Sequence, residues 1–279
     1  MQTLSEREIG VIFWATADPR ATLAEYTKLG LRCGQLGIPG DYPLEGAADA
    51  WKGALEACNF RIFTLVGAYT GEDYADIPTV ERTVGFIPES TRKERVERTL
   101  KISDLAAQLG VPGIACHVGF VPHDATAPAY VAVRDEVRRI CDHAAKYGQT
   151  FALETGQEPA DVLLRFIKDV DRPNLRINFD PANMIMYGTG DPIEALNLLA
   201  PHVVTVHCKD GDWPPKDVPG ALGTEKPLGQ GSVGMERFVN KLKEIGYKNP
   251  LFIEREIPDQ AQRLQDIASA IKLLESLRH

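Results

Sequence analysis

Eight times along this chain a short apolar run is followed by a stretch with helical periodicity, and that repeat narrows the choice of fold more than any other feature. The runs fall at 8–14, 33–38, 61–67, 113–119, 150–154, 175–180, 203–208 and 251–255. They are rich in β-branched and aromatic side chains, as strands are. Between them apolar residues recur at helical spacing, as in Val133, Val137, Ile140 and Ala144, or Phe238, Leu242 and Ile245, or Leu264, Ile267, Ile271 and Leu274. Each helix therefore has one face that seeks a sheet. Asp191-Pro192 opens one helix with a capping side chain and a proline at its first turn, while Gly110, Gly148 and Gly246 close others just before the next strand. Eight unbroken strand–helix units of about 35 residues predict a (β/α)8 TIM barrel occupying 1–279 as one domain. An open doubly wound sheet is the competing architecture, but no glycine-rich phosphate turn follows the first run.

Four of the runs end on residues that bind metals: Phe-Ala-Leu-Glu154, Ile-Asn-Phe-Asp180, Val-Thr-Val-His207 and Leu-Phe-Ile-Glu254. Strand ends of a parallel barrel converge on one face, where active sites form. Three carboxylates and one imidazole gathered there predict a site for one divalent ion, Mn2+, Mg2+, Co2+ or Zn2+, rather than a thiolate-preferring metal. Alternation adds that Thr205, His207 and Lys209 share a face, as do Arg176, Asn178 and Asp180, and Phe252, Glu254 and Glu256. Polar side chains inside a barrel mouth cost free energy unless they bind something. For each residue there is also a structural alternative: Asp180 as a cap for the turn opened by Pro181, Lys209 facing solvent, His117 and His207 as core histidines, and Trp14 as core packing.

Composition bounds the partners. The 279 residues are 44% hydrophobic and 25% charged, an ordinary globular balance, with a net charge of −8. That charge argues against nucleic acid and for small neutral ligands. No run of eighteen apolar residues occurs, and the first thirty residues lack the features of a signal peptide, so no membrane association and a cytoplasmic location are expected. Cys33, Cys58, Cys116, Cys141 and Cys208 are odd in number and lack CxxC spacing, which predicts reduced thiols.

Five segments together resemble the sugar isomerase/epimerase superfamily of xylose isomerase-like barrels, a group with ketose 3-epimerases, hydroxypyruvate isomerase, inosose isomerases and dehydratases, and endonuclease IV. They are Leu153-Glu154-Thr155-Gly156, Asn178-Phe179-Asp180-Pro181-Ala182-Asn183, Val206-His207-Cys208-Lys209-Asp210, Pro227-Leu228-Gly229-Gln230-Gly231 and Ile253-Glu254. The resemblance spans essentially the whole chain. It implies that Glu154, Asp180, His207 and Glu254 hold the metal, that Glu154 and Glu254 are the acid/base pair, and that a homo-oligomer is open by analogy. Asn183 stands where many epimerases carry a histidine, and Trp213 where they carry an arginine. The trinuclear zinc site of endonuclease IV needs further histidines, and here only His117 and His123 lie near another strand end.

A proton on carbon beside a carbonyl is too weakly acidic for a carboxylate to remove unless the developing enolate oxygen is stabilised, as a divalent metal can do. The expected function is thus a metal-dependent isomerase or epimerase acting on a ketose, keto-sugar or keto-inositol. A lyase on the same site, expelling a β-hydroxyl, is the alternative; a non-catalytic sugar-binding barrel and an endonuclease are the remaining classes. His117, Lys209, Trp14, Asn183 and Trp213 are the candidate substrate contacts. Trp213 begins a Pro/Gly-rich segment, Asp212 to Gly234, expected to be a lid, and Thr70–Ser90 forms a second long insertion that either covers the same mouth or meets a partner. The turn at Gly229, Gln230 and Gly231 resembles a phosphate loop only faintly, and an unphosphorylated, hydroxyl-rich substrate is expected.

Overall fold

A computed structural model of the protein describes residues 7–278. Its centre is a closed barrel of eight parallel strands: β1 (Ile9–Trp14), β2 (Cys33–Ile38), β3 (Arg61–Gly67), β4 (Gly113–Cys116), β5 (Thr150–Glu154), β6 (Leu175–Phe179), β7 (Val203–Cys208) and β10 (Leu251–Ile253). A two-stranded antiparallel hairpin, β8 (Asp210–Asp212) and β9 (Thr224–Lys226), rises after β7. The helices are α1 (Pro19–Lys28), α2 (Ala47–Cys58), α3 (Ile77–Thr83), α4 (Glu89–Leu109) and α5 (Pro128–Ala145), then α6 (Ala160–Val170), α7 (Pro181–Tyr187), α8 (Pro192–Leu199), α9 (Met235–Glu244) and α10 (Gln260–Leu277). The order around the barrel follows the chain, with β10 closing against β1 through Ile9, Gly10 and Val11. The predicted (β/α)8 barrel is therefore the observed fold.

Two layers of packing hold it. Alternation sends Val11, Phe13, Leu36, Leu65, Leu153 and Phe179 outward into one continuous core shared with the helices. Cys208 joins that core, as the parity of β7 requires. On the inner side Val66, Ala115 and Ala152 pack with Ile12 and Val204 in a small apolar plug. Above the plug the barrel interior becomes polar, and that change of character at the carboxyl ends of the strands is what builds the site.

Two boundaries differ from the sequence reading. The fourth strand ends at Cys116 rather than 119, because the chain turns away through Gly119, whose φ of +85° suits only glycine. The Asp212–Gly234 segment is not a plain loop, since its base pairs as the β8–β9 hairpin. The insertion after β3 meets this excursion where the Ile77 N–H donates to the Gly220 carbonyl, and Glu72 and Tyr74 of the one and Leu222 and Gly223 of the other reach the barrel mouth. All five cysteines are free. Among the described residues no helix is long and apolar enough to cross a membrane.

Candidate metal centre and its cavity

Glu154 ends β5, Asp180 follows β6, His207 lies in β7 and Glu254 follows β10. Because β6 and β7 lie between β5 and β10 in the barrel, the two glutamates approach from either side of the aspartate and histidine. One potential donor atom from each of the four residues falls within 4.8 Å of all the others, and all four residues are buried.

The hydrogen bonds sort these atoms. Asp180 Oδ1 caps α7 by accepting the Asn183 N–H at 2.8 Å, so the capping alternative is realised, yet it uses only one oxygen. Asp180 Oδ2, His207 Nδ1 and Glu254 Oε2 are buried and have no hydrogen-bond partner. His207 Nε2 lies 2.6 Å from Gln35 Oε1 and 3.0 Å from the Asn178 amide nitrogen, contacts that hold the ring with Nδ1 facing inward. Around Nδ1 stand Glu254 Oε2 at 2.5 Å, and Glu154 Oε1 and Asp180 Oδ2 at 3.4 Å each. Buried polar atoms are nearly always satisfied, so three atoms without hydrogen bonds converging on one point make a candidate cation site. The donor set, three carboxylates and a neutral imidazole, fits a divalent ion of the magnesium-to-zinc group.

Electrostatics agree. Burial alone would raise the Glu154 carboxyl, but His117, His207 and Lys209 outweigh it and hold that group below the usual carboxylate range. Burial alone would lower the His207 imidazole, yet Glu254 and Glu154 pull it well above its ordinary value. Lys209 is raised in the same way against its own burial, chiefly by Glu254 and Glu256. The carboxylates thus favour positive charge at His207 and Lys209, and those cations in turn keep Glu154 ionised.

A cavity of about 430 Å³ opens above this cluster. The sequence candidates Trp14, His117, Asn183 and Lys209 all line it. His117 Nε2 is 3.4 Å from Glu154 Oε1, and the Asn183 amide donates to the same oxygen at 3.3 Å. Lys209 Nζ bridges Glu254 Oε1 at 3.3 Å and Glu256 Oε2 at 2.9 Å, and it is buried rather than solvent-facing. Trp213 is different: it is 45% exposed and does not line the cavity. The Asp212–Thr224 pairing carries residues 213–221 away from the mouth and returns Leu222, Gly223 and Glu225 to it instead.

Several participants were not found from the sequence. Gln35 orients His207; it is the polar residue of Cys33–Ile38 and shares a face with Gly37, a parity signal that could have marked it. Asn178 was placed on the correct face, and it donates to Glu154 Oε2 while accepting from Thr205 and Gln35. Glu72, Tyr74 and Tyr187 reach the cavity from irregular segments and a helix end, where no periodic pattern marks them.

The glycine turn at 229–231 also has its explanation. Its N–H groups bind an internal anion: Asp210 Oδ2 accepts from Gly229 and Gly231, and Oδ1 accepts from Gly211 and Val233. A Cβ at Gly231 would sit 2.4 Å from Asp210 Oδ1.

A closed parallel barrel with three carboxylates and one imidazole gathered at its strand ends defines a class of barrels with a candidate metal site. The chain belongs to the xylose isomerase-like TIM barrel family, whose model matches residues 23–277. It is similar to a xylose isomerase domain protein from Planctomyces limnophilus, with 45% identity, a TM-score of 0.92 and 98% of both chains covered. A xylose isomerase-like TIM barrel protein from Mycobacterium smegmatis, solved in complex with magnesium, shares 18% identity at a TM-score of 0.72 over 100% of this chain and 98% of that one. The 3-keto-D-glucoside 4-epimerase of E. coli shares 16% identity at a TM-score of 0.70, covering 97% of this chain and 100% of its own. At such low identity the last two establish the fold alone.

Proposed function

We propose that this chain, acting as one domain, is a divalent-metal-dependent isomerase or epimerase that moves a proton on and off carbon beside the carbonyl of a neutral keto-sugar or cyclitol. The observation that carries the reading is the convergence of three unpartnered buried atoms, Asp180 Oδ2, His207 Nδ1 and Glu254 Oε2, beside Glu154. Glu154, Asp180, His207 and Glu254 would hold the ion, which when bound supplies Lewis-acid stabilisation of oxygen charge.

The chain's own groups do the rest. Glu154 and Glu254 approach from separate strands, so one carboxylate can take the proton while the other, protonated, returns one. Asn178 and Asn183 fix the Glu154 oxygens, and Lys209 fixes Glu254 Oε1, which limits the directions from which each carboxylate can act. Gln35 and Asn178 hold the His207 ring in place. Lys209 and His117 offer N–H donors to substrate hydroxyls or to the carbonyl oxygen, and Trp14 offers an apolar face to C–H groups. The family match and an epimerase with the same fold support the choice of reaction class.

Proton NMR in D2O of a panel of ketoses, inososes and 3-keto-sugars, with Mg2+ or Mn2+ supplied, tests this. The expected result is loss of one α-carbon proton signal, followed by epimer or isomer signals. An unsaturated or diketo product would move the protein to the lyase class. Absence of exchange from every member of the panel, with the ion bound, would contradict the proposal.

A further inference from the structure

The cavity above the metal cluster has a neighbour. A second one, of about 410 Å³, lies between the ends of β1 and β10 and the helices α1 and α10, and the two share Ile12, Trp14, Glu254 and Glu256 as walls. Trp14 is the partition. Its six-membered ring lies over Gly37, where a Cβ would come within 2.6 Å, and the side chain is 37% exposed. An indole seated against backbone on one side and open elsewhere is a platform for the C–H face of a sugar.

Volume points to a substrate longer than one ring. A hexose of about twelve non-hydrogen atoms fills on the order of 200 Å³ at interior packing density, well under the first cavity alone. The second cavity is chemically suited to hydroxyl groups. Glu25 already accepts the Gln260 amide at 2.5 Å, and Arg263 lies on the same wall. Its other cation, Arg255, is tied to Glu225 and Asp266 at 2.8 Å each. With Glu25, Glu254 and Glu256 also on the walls, the lining disfavours an anionic substituent.

We propose that this second cavity is a subsite for a second sugar ring, so that the substrate is a neutral keto-disaccharide or keto-glycoside lying across Trp14, with its reacting ring at the metal cluster and its other ring between α1 and α10. This rests on the reading of the first cavity as a keto-sugar site.

Calorimetric titration of the Mg2+-supplied protein with methyl β-D-glucoside, cellobiose, maltose, sucrose and glucose 6-phosphate tests it, using wild type, Ala21→Trp and Arg263→Ala. Ala21 is an exposed residue of α1 on the wall of the second cavity, so tryptophan there fills it without disturbing the core; melting curves check folding. The expected result is at least one disaccharide binding tenfold or more tightly than methyl glucoside, with Ala21→Trp abolishing the difference and Arg263→Ala reducing it about fivefold. Disaccharides binding no better than methyl glucoside, glucose 6-phosphate binding best, or a preference untouched by both variants would overturn the proposal. Deuterium exchange on monosaccharide ketones separates the two readings. A disaccharide preference sensitive to Ala21→Trp, without exchange on any ketone, would uphold the subsite and remove the catalytic reading.

Discussion

Two buried aspartates at neighbouring strand ends are treated in opposite ways. Asp210, just beyond β7, has both oxygens met by backbone N–H groups, two on each. Asp180, just beyond β6, gives one oxygen to the N-cap of α7 and leaves the other without a hydrogen bond, 3.4 Å from His207 Nδ1 and 4.0 Å from Lys209 Nζ. The difference separates an anion satisfied by the backbone from one that keeps an oxygen available to a ligand. Glu158 is the instructive third case. Its Oε1 accepts the Val121 N–H and its Oε2 is unpartnered, but it is not part of the metal-site cluster. An orphan oxygen alone is thus answered by a proton, and burial pushes this carboxyl up to about 7 against the pull of its backbone bonds and His117.

The largest expected effect lies on the unsatisfied side. Glu254→Gln keeps the shape and removes the charge, so α-proton exchange should fall at least about a thousandfold while melting shifts little; full activity in this variant would erase the acid/base role. On the satisfied side the order reverses. Asp210→Asn replaces an acceptor oxygen with an NH2 group and strands two N–H groups, which should cost about 4 kcal/mol, read as a lower Tm and faster hydrogen exchange across 211–233. Its response to added metal should be retained. A variant that melted normally but no longer responded to metal would place Asp210 in the wrong class.

Glu158 tests the intermediate case through pH. Its pKa is higher folded than the ordinary 4.5, so its contribution to stability is complete below that value and is lost as pH rises towards 7. Glu158→Gln keeps the acceptor for Val121, and it should raise stability by up to about 3 kcal/mol at pH 8 with no gain near pH 4. A constant difference across that range in thermal melts would break the assignment. The smallest effect is expected at Gly231→Ala, about 2 kcal/mol, because the new methyl group displaces the Asp210 carboxylate and the Gly211 N–H that binds it without removing either.

The barrel was legible because its strands are short apolar runs with helices of matching period, and the candidate ligands because each terminates such a run. Alternation within a strand also carried Lys209 and Asn178 to the correct face. What could not be read comes from irregular backbone. Glu72 is anchored by the N–H groups of Tyr69 and Gly85, contacts between loop residues that no periodicity encodes. Trp213 was misplaced because three-residue strands such as β8 and β9 have too few positions to show alternation, and their pairing decides which part of the excursion faces the cavity. The glycine turn at 229–231 signalled an anion, but only the fold reveals that the anion is Asp210.

Titration of Mn2+ into chelator-treated protein, wild type beside Asp180→Asn, tests the central claim most directly. Asparagine still caps α7 but offers no charged oxygen to the cluster. The expected result is one ion per chain in the wild type, a rise in Tm on binding, and at least about a hundredfold weaker binding in the variant with little change in its metal-free melting. Absence of binding in the wild type, or equal binding in both proteins, would contradict it.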